Sequence, residues 1–260
     1  MTAAAARADG SAPELLDTLA ADRATGALTT RSGIFYLAAG RVVHAESAHS
    51  PGLGDLLTRS GALAPAGWWE AVERAGARQR VGRQLVDSGR LTAGALELAH
   101  LGALFDAAYF ALAHDGTALR FRPGVAHWLG AVRPVPVATV LRESYRRRAL
   151  LDRIWPDPAV DTAPLTRTPD ADPGALPPRR GRALALVDGG RTAAQIASAL
   201  AHRTFHTLVE LRRLAADGLV APAPPAPAPP VRPVPGAGRA DWDEPDTALL
   251  RRLLDALEAL

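Results

Sequence analysis

GALTTRSGIFYLAAGRVVHAE, residues 26–46, is the stretch that decides the fold of this chain. Runs of four to six residues, rich in apolar and aromatic side chains and bounded by glycine and serine, are typical of β-strands. The stretch therefore predicts a small three-stranded antiparallel meander, with its strands at 27–30, 33–37 and 41–46.

Helices are predicted on both sides of this meander. Ser11 and Glu14 have the spacing of a capping box, which predicts a helix from about Pro13 to Ala24. Downstream, residues 53–63 and 81–91 align at a 28-residue offset, and in both copies a short helix ends at a Ser-Gly pair. Two successive helix-cap-helix units are therefore expected.

The most apolar stretch, residues 91–113, is predicted to form a buried core helix. Glu97, His100 and Asp106 interrupt it, and each of these side chains would be costly in hydrocarbon. We therefore expect no membrane contact. After this helix, Leu119 and Phe121 alternate with arginines, which predicts a strand that returns to the edge of the meander.

Prolines mark the boundaries of the remaining segments, because seven lie in 156–178 and eight in 222–235. The expected fold class is α+β. Its predicted parts are a mixed domain at 11–155 ending in a helix over 136–155, a linker at 156–178, a three-helix domain at 179–220, a linker at 221–240 and an amphipathic leucine helix at 243–260.

Composition excludes several classes of function. The 260 residues contain neither cysteine nor lysine, so the chain can form no disulfide, no thiolate zinc site and no phosphate-binding loop that ends in lysine. A chain without cysteine is expected in the cytoplasm. The formal net charge of +3 is too small to indicate nucleic-acid binding unless it is concentrated in a patch.

The runs Gly26-Ala-Leu, Gly33-Ile-Phe-Tyr-Leu and Gly40-Arg-Val-Val-His-Ala-Glu resemble the signature of the PatA-amino-terminal (PATAN) family. The strand 119–123 is similar to the one that ends that family's domain, so the resemblance covers roughly residues 13–124. It implies a domain that mediates protein contacts in bacterial signalling. The family-motif residues are Gly40, Arg41, His44 and Glu46.

Two further resemblances concern helical segments. Residues 81–98 are similar to the N-terminal helical domain of type II secretion ATPases, from which no ATPase activity is carried over. Residues 179–220 resemble a winged-helix module, although Pro222 lies where a wing hairpin should pair, and proline cannot donate to a strand ladder. The resemblance makes the third helix a candidate DNA contact through Arg203, His206, Arg212 and Arg213; the alternative is a module that docks a partner protein.

Other residues are candidates for partner contacts rather than chemistry. Trp68 and Trp69 are adjacent on a predicted helix, so only one can face the core and the other is free to touch a partner. In the tail, a 3-4-3 leucine spacing predicts a helix that binds a partner groove or self-associates; the alternative is that it packs on its own domain. Its candidate residues are Leu250, Leu253, Leu257 and Leu260.

The sequence predicts no catalytic residue, no metal ligand and no cofactor. His44 and Glu46 share one side of a strand, a pattern that could suit acid-base chemistry, yet a structural role is favoured. His202 and His206 straddle a predicted helix cap, which disfavours a shared metal ion. The expected function is a non-enzymatic signalling or transcriptional regulator that contacts another protein, with DNA as a second candidate partner. The alternative is an adaptor that does not bind DNA.

Overall fold

The computed structural model describes residues 10–113, 119–169 and 171–224, together with the backbone of residues 6 and 7. The predicted tail helix at 243–260, with its four leucines, lies outside the described residues. So does the linker from residue 225 onward. Met1–Ala223 form one compact unit.

The predicted meander lies at the centre of an antiparallel sheet. Its strand order is β1-β5-β2-β3-β4-β6, so the strand after the long helix returns to the edge of the meander as expected. The strands are β1 (Ala6–Arg7), β2 (Gly26–Thr29), β3 (Ile34–Ala38), β4 (Arg41–Glu46), β5 (Arg120–Pro123) and β6 (Val135–Pro136).

The helices of the first part begin and end where the local signals predict. The capping box at Ser11 and Glu14 is formed, and both short repeated helices end at a serine followed by a glycine of positive φ. The helices are α1 (Ala12–Ala21), α2 (Leu53–Arg59), α3 (Pro65–Ala75), α4 (Val81–Asp87), α5 (Ala93–Ala111) and α6 (Val137–Ile154).

The segment from residue 156 to residue 224 contains more regular structure than its prolines predict. Residues 156–178, expected to be an irregular linker, contain a short helix and a strand, and Leu165 of that strand is fully buried. Proline is tolerated at helix starts and strand edges, so its frequency does not by itself mark a linker. The elements are α7 (Ala159–Thr162), β7 (Leu165–Arg167), α8 (Pro178–Ala185), α9 (Ala193–Ala199), α10 (Thr204–Ala216) and β8 (Val220–Pro222).

Strand β8 pairs antiparallel with β7, which precedes the three helices. A winged-helix hairpin would instead pair strands that follow the third helix. Pro222 is accommodated at the end of this two-stranded ladder, opposite Leu165. The architecture is therefore mixed α+β. The partner strand of β8 is β7, which precedes α8 in the sequence.

Helix α5 is shared by all three hydrophobic clusters. Leu104 packs against the sheet, Ala103 against the repeated helices, and Phe110 against α8 and α10. More than half of the helix is buried, which confirms the predicted core helix. Within the described ranges, no helix has the length and apolar character needed to cross a membrane.

Two buried ion-pair networks connect α5 to α10. Asp106 accepts from the Arg147 guanidinium at 2.7 Å and from the backbone N–H of Phe205 at 3.2 Å. Asp161 accepts two hydrogen bonds from Arg212, at 2.7 and 2.8 Å, and a third from the Tyr109 hydroxyl at 2.6 Å. The segments predicted as separate domains are thus joined through paired charges in the interior.

Candidate functional site: a cavity lined by histidine and tryptophan

The site is built on β4, where a bulge against β3 shifts the strand register. Tyr36 pairs with His44 and Leu37 pairs with Val42, so Val43 has no partner across the ladder. A bulge bends its strand and redirects nearby side chains. His44 and Glu46 lie on one side of the strand, as their spacing predicts, with Nε2 and Oε1 3.9 Å apart.

Glu46 is the centre of a hydrogen-bonded cluster. The Tyr36 hydroxyl donates to Oε2 at 3.2 Å, and His127 Nε2 lies 3.1 Å from Oε1. The backbone N–H of Leu129 donates to His127 Nδ1, so the proton of this ring is on Nε2, which donates to Glu46. The His127 bond is the largest cause that lowers the pKa of Glu46, which is therefore ionised at neutral pH.

His44 and His100 form a neutral layer beside this carboxylate. The His44 ring stacks on His127 and His100, with ring centroids 4.1 and 5.5 Å away. Burial is the main reason why the pKa of His44 lies well below 6.5, and the two neighbouring rings lower it further. Burial also lowers the pKa of His100 to about 4, although its Nε2 lies 2.9 Å from the Val43 carbonyl oxygen.

His44, Glu46 and His127 line an open cavity of about 280 Å³ together with three tryptophans. Trp68 is 7% exposed and contacts Trp128 edge-on, with centroids 5.7 Å apart. The neighbouring Trp69 is 62% exposed. This confirms the expectation that only one of the two adjacent tryptophans faces the core.

Within the part of the chain that the structure describes, His44, Glu46 and His127 form a group that could hold a metal ion, because one ligand atom of each lies within 4.8 Å of the others. Their hydrogen bonds fit a metal poorly. A histidine ligand usually donates its second ring N–H to an acceptor, but His127 Nδ1 faces the N–H of Leu129.

The structure separates the four candidate DNA contacts. Arg212 is fully buried and bound to Asp161, which makes its assignment as a DNA contact wrong. Arg203 lies against α5, where it donates to the Leu98 carbonyl at 3.0 Å. His206 and Arg213 are exposed, and Arg213 is paired with Glu210.

Two family-motif residues have structural roles. Gly40 adopts a φ of +76°, and a Cβ there would lie 2.5 Å from the Ala20 carbonyl oxygen, so only glycine fits the turn. Arg41 donates to the Pro134 carbonyl at 2.9 Å and so helps to hold β6 against β4. His44 and Glu46 are the members of the motif that reach the cavity.

Sequence reasoning missed His127, Trp128 and Tyr36. The first two lie in a loop with no periodic pattern, more than eighty positions from His44, so no local spacing connects them. The sequence predicts the correct strand for Tyr36, but its hydrogen bond to Glu46 depends on the bulge. The available signal in the sequence is the adjacent pair His127 and Trp128, which closely follows the edge strand predicted at 119–123.

No protein-family model, curated protein or solved structure matches this chain. The PATAN resemblance therefore rests on the residues quoted for it and stays a prediction.

Proposed function

We propose that this chain is a non-enzymatic, cytoplasmic protein-interaction module of the PATAN-like signalling type, whose contact surface is the tryptophan-lined cavity. The observation that carries the proposal is the exposure of Trp69 and Trp128, 62% and 37%, in the lining of one cavity. Burial of such rings against a partner recovers hydrophobic free energy, and tryptophan is enriched among the residues that dominate binding energy at interfaces.

The chemistry of the cavity supports binding rather than catalysis. Thr58 carries the one side-chain hydroxyl among the described residues that line the cavity. This hydroxyl donates to the Gly54 carbonyl at 2.8 Å. Glu46 already accepts from Tyr36 and His127. A hydroxyl nucleophile needs a base within hydrogen-bonding reach, and the Thr58 hydroxyl is bonded to a backbone carbonyl instead.

Helices α8–α10 and strand β8 have the element order of a winged-helix module, and we assign them a scaffolding role. Helix α10, which would be the recognition helix, is docked on α5 through Arg203 and Phe205. These contacts of α10 are with another helix of the same chain, which favours the adaptor hypothesis over the transcriptional one.

DNA contact is the second candidate function, and one observation favours it. A cavity of about 460 Å³ beside the start of α10 is lined by Arg179, His202, Arg203 and His206, with Glu210 as its carboxylate. If this cavity holds DNA phosphates, the affinity for DNA falls steeply as salt is raised. Arg179→Ala should then lower the affinity. The control Arg31→Ala, at an exposed arginine outside the cavity, should leave the affinity unchanged. Equal binding by both variants, or none at low salt, contradicts this candidate.

The test of the main proposal compares proteins that co-purify with tagged wild type, Trp69→Ala and Tyr145→Ala from the native cell. Tyr145 is the matched control, because it is a large aromatic residue that is 53% exposed and lies outside the cavity. We expect a defined partner with wild type and Tyr145→Ala, and its loss with Trp69→Ala. The same recovery with all three proteins would contradict the proposal.

A further inference from the structure

The cavity that contains Trp69 is acidic in a chain whose basic residues are all arginine. Its described lining includes Glu46 and Asp55 but no arginine. The pKa of Glu46 is lowered and that of His44 lies well below 6.5, so the carboxylate is charged and that histidine is neutral at pH 7. The lining therefore carries negative charge and attracts a cation.

Two polar atoms of this cavity, His44 Nε2 and Glu46 Oε1, are spaced for one small donor between them when the His44 ring carries its proton on Nδ1. His44 Nε2 and Glu46 Oε1 lie 3.9 Å apart, too far for a direct hydrogen bond. An ammonium nitrogen about 2.9 Å from each could donate to both, since it has three N–H donors and a carboxylate oxygen accepts more than one bond. The His127 bond to Glu46 would be kept.

The tryptophans complement such a cation. Indole faces attract ammonium groups, and the attraction grows when the cation loses water in a confined site. Trp68 and Trp128 make an edge-on pair, and Trp69 extends the same lining toward solvent. An alkyl stem that ends in an ammonium group matches an apolar aromatic lining with carboxylates beside it.

We propose that the cavity of Glu46, Asp55, His44 and the three tryptophans binds the alkylammonium side chain of a lysine on the partner protein. This inference rests on the proposed function and names the group that the partner presents. The carboxylates supply charge complementarity, the tryptophans contact the stem, and His44 with Glu46 fixes the position of the nitrogen.

The experiment follows the indole N–H signals of the full chain by NMR during titration with acetyl-Gly-Lys-Gly-amide. The same peptide with norleucine in place of lysine keeps the stem and removes the charge. We expect the lysine peptide to shift the indole signals of Trp69 and Trp128, and the norleucine peptide to leave them in place. High salt should weaken the binding.

Variants of exposed residues avoid failures of folding. Asp55→Asn and Trp69→Ala are each expected to weaken binding of the lysine peptide by about tenfold, because each removes one charge or one cation–aromatic contact. Asp17→Asn is the matched control, because Asp17 is also an exposed helical aspartate and lies outside the cavity. Unchanged binding by Asp55→Asn and Trp69→Ala would overturn the inference.

Two other titrations complete the test. Tighter binding of n-butylammonium than of the lysine peptide would make a free amine the ligand and overturn the assignment to a partner lysine. Zinc that shifts the signals of His44 and His127, with no response to the lysine peptide, would make the cavity a metal site and overturn it too. If either happens while partner recovery still depends on Trp69, the proposed function stands and this inference alone fails.

Discussion

His100 and His44 lie in the interior in their neutral form, and this makes stability depend on pH. Both have a folded-state pKa below the ordinary 6.5, because burial penalises the charged ring. The unfolded chain therefore binds protons more readily between pH 6.5 and the folded pKa values. The contribution of these residues to stability is complete above pH 6.5 and is lost as the pH falls.

We predict that the free energy of unfolding falls from pH 6.5 toward about 4, the pKa of His100, by about 1.4 kcal/mol per pH unit for each histidine that titrates. His100→Gln keeps a donor for the Val43 carbonyl but does not titrate. Urea denaturation at a series of pH values should show a shallower slope for the variant. Parallel slopes for the two proteins would contradict this assignment.

Arg212 is the cation of the buried charge network around Asp161. Its guanidinium is fully buried and makes two hydrogen bonds to Asp161. We predict that Arg212→Ala lowers the free energy of unfolding by about 3–5 kcal/mol, because it leaves the Asp161 carboxylate buried and unpaired. Denaturant unfolding measures this change, and Arg213→Ala, on the exposed face of the same helix, should cost less than about 1 kcal/mol.

At the scale of elements, Gly54 of α2 sets the packing of the helix against Trp68. A Cβ at residue 54 would lie 2.6 Å from Trp68 Cε2. We predict that Gly54→Ala costs about 1–3 kcal/mol by overpacking and displaces the indole that lines the cavity. Gly94→Ala is the control, because its Cβ would meet no atom within 4 Å, and alanine in helix α5 should stabilise by up to about 1 kcal/mol. Thermal melts that rank the two variants in the opposite order would contradict this packing.

Local signals explain which elements could be predicted from the sequence. The capping box at Ser11, the turn at Gly40 and the repeated Ser-Gly helix ends each use residues a few positions apart, so the pattern determines the structure. The pairing of β7 with β8 depends on residues far apart in the chain, and no spacing reveals it.

The same limit explains the candidate site. His44 and Glu46 were found because both lie on one strand. Trp68 and Trp69 are predicted together, because helical geometry forbids two adjacent residues from both facing the core, and only the structure shows that Trp69 is the exposed one. His127 could not be placed beside Glu46 without the tertiary fold. Arg212 had the charge expected of a DNA contact, and only its depth in the structure distinguishes it from the exposed Arg213.

At the scale of the whole molecule, α5 and the charge networks at Asp106 and Asp161 connect the sheet to α10. We predict that slowly exchanging amides of β3 and α10 share one free energy of opening in native-state hydrogen exchange. Asp106→Asn should lower protection in α10 more than in β3, because it weakens the bonds to Arg147 and Phe205. Opening of α10 at a much lower free energy in the wild type would show that the two parts unfold independently.

We propose that the surface around Trp69 docks a partner protein. A photo-crosslinking phenylalanine derivative at Ala66, which is exposed and lies one helical turn before Trp69 in α3, probes this surface and leaves the indole in place. The same derivative at Tyr145 is the control. In the native cell we predict a discrete crosslinked species from position 66 that is absent from position 145 and absent without light. Identical products from both positions, or none from position 66, would contradict the proposal.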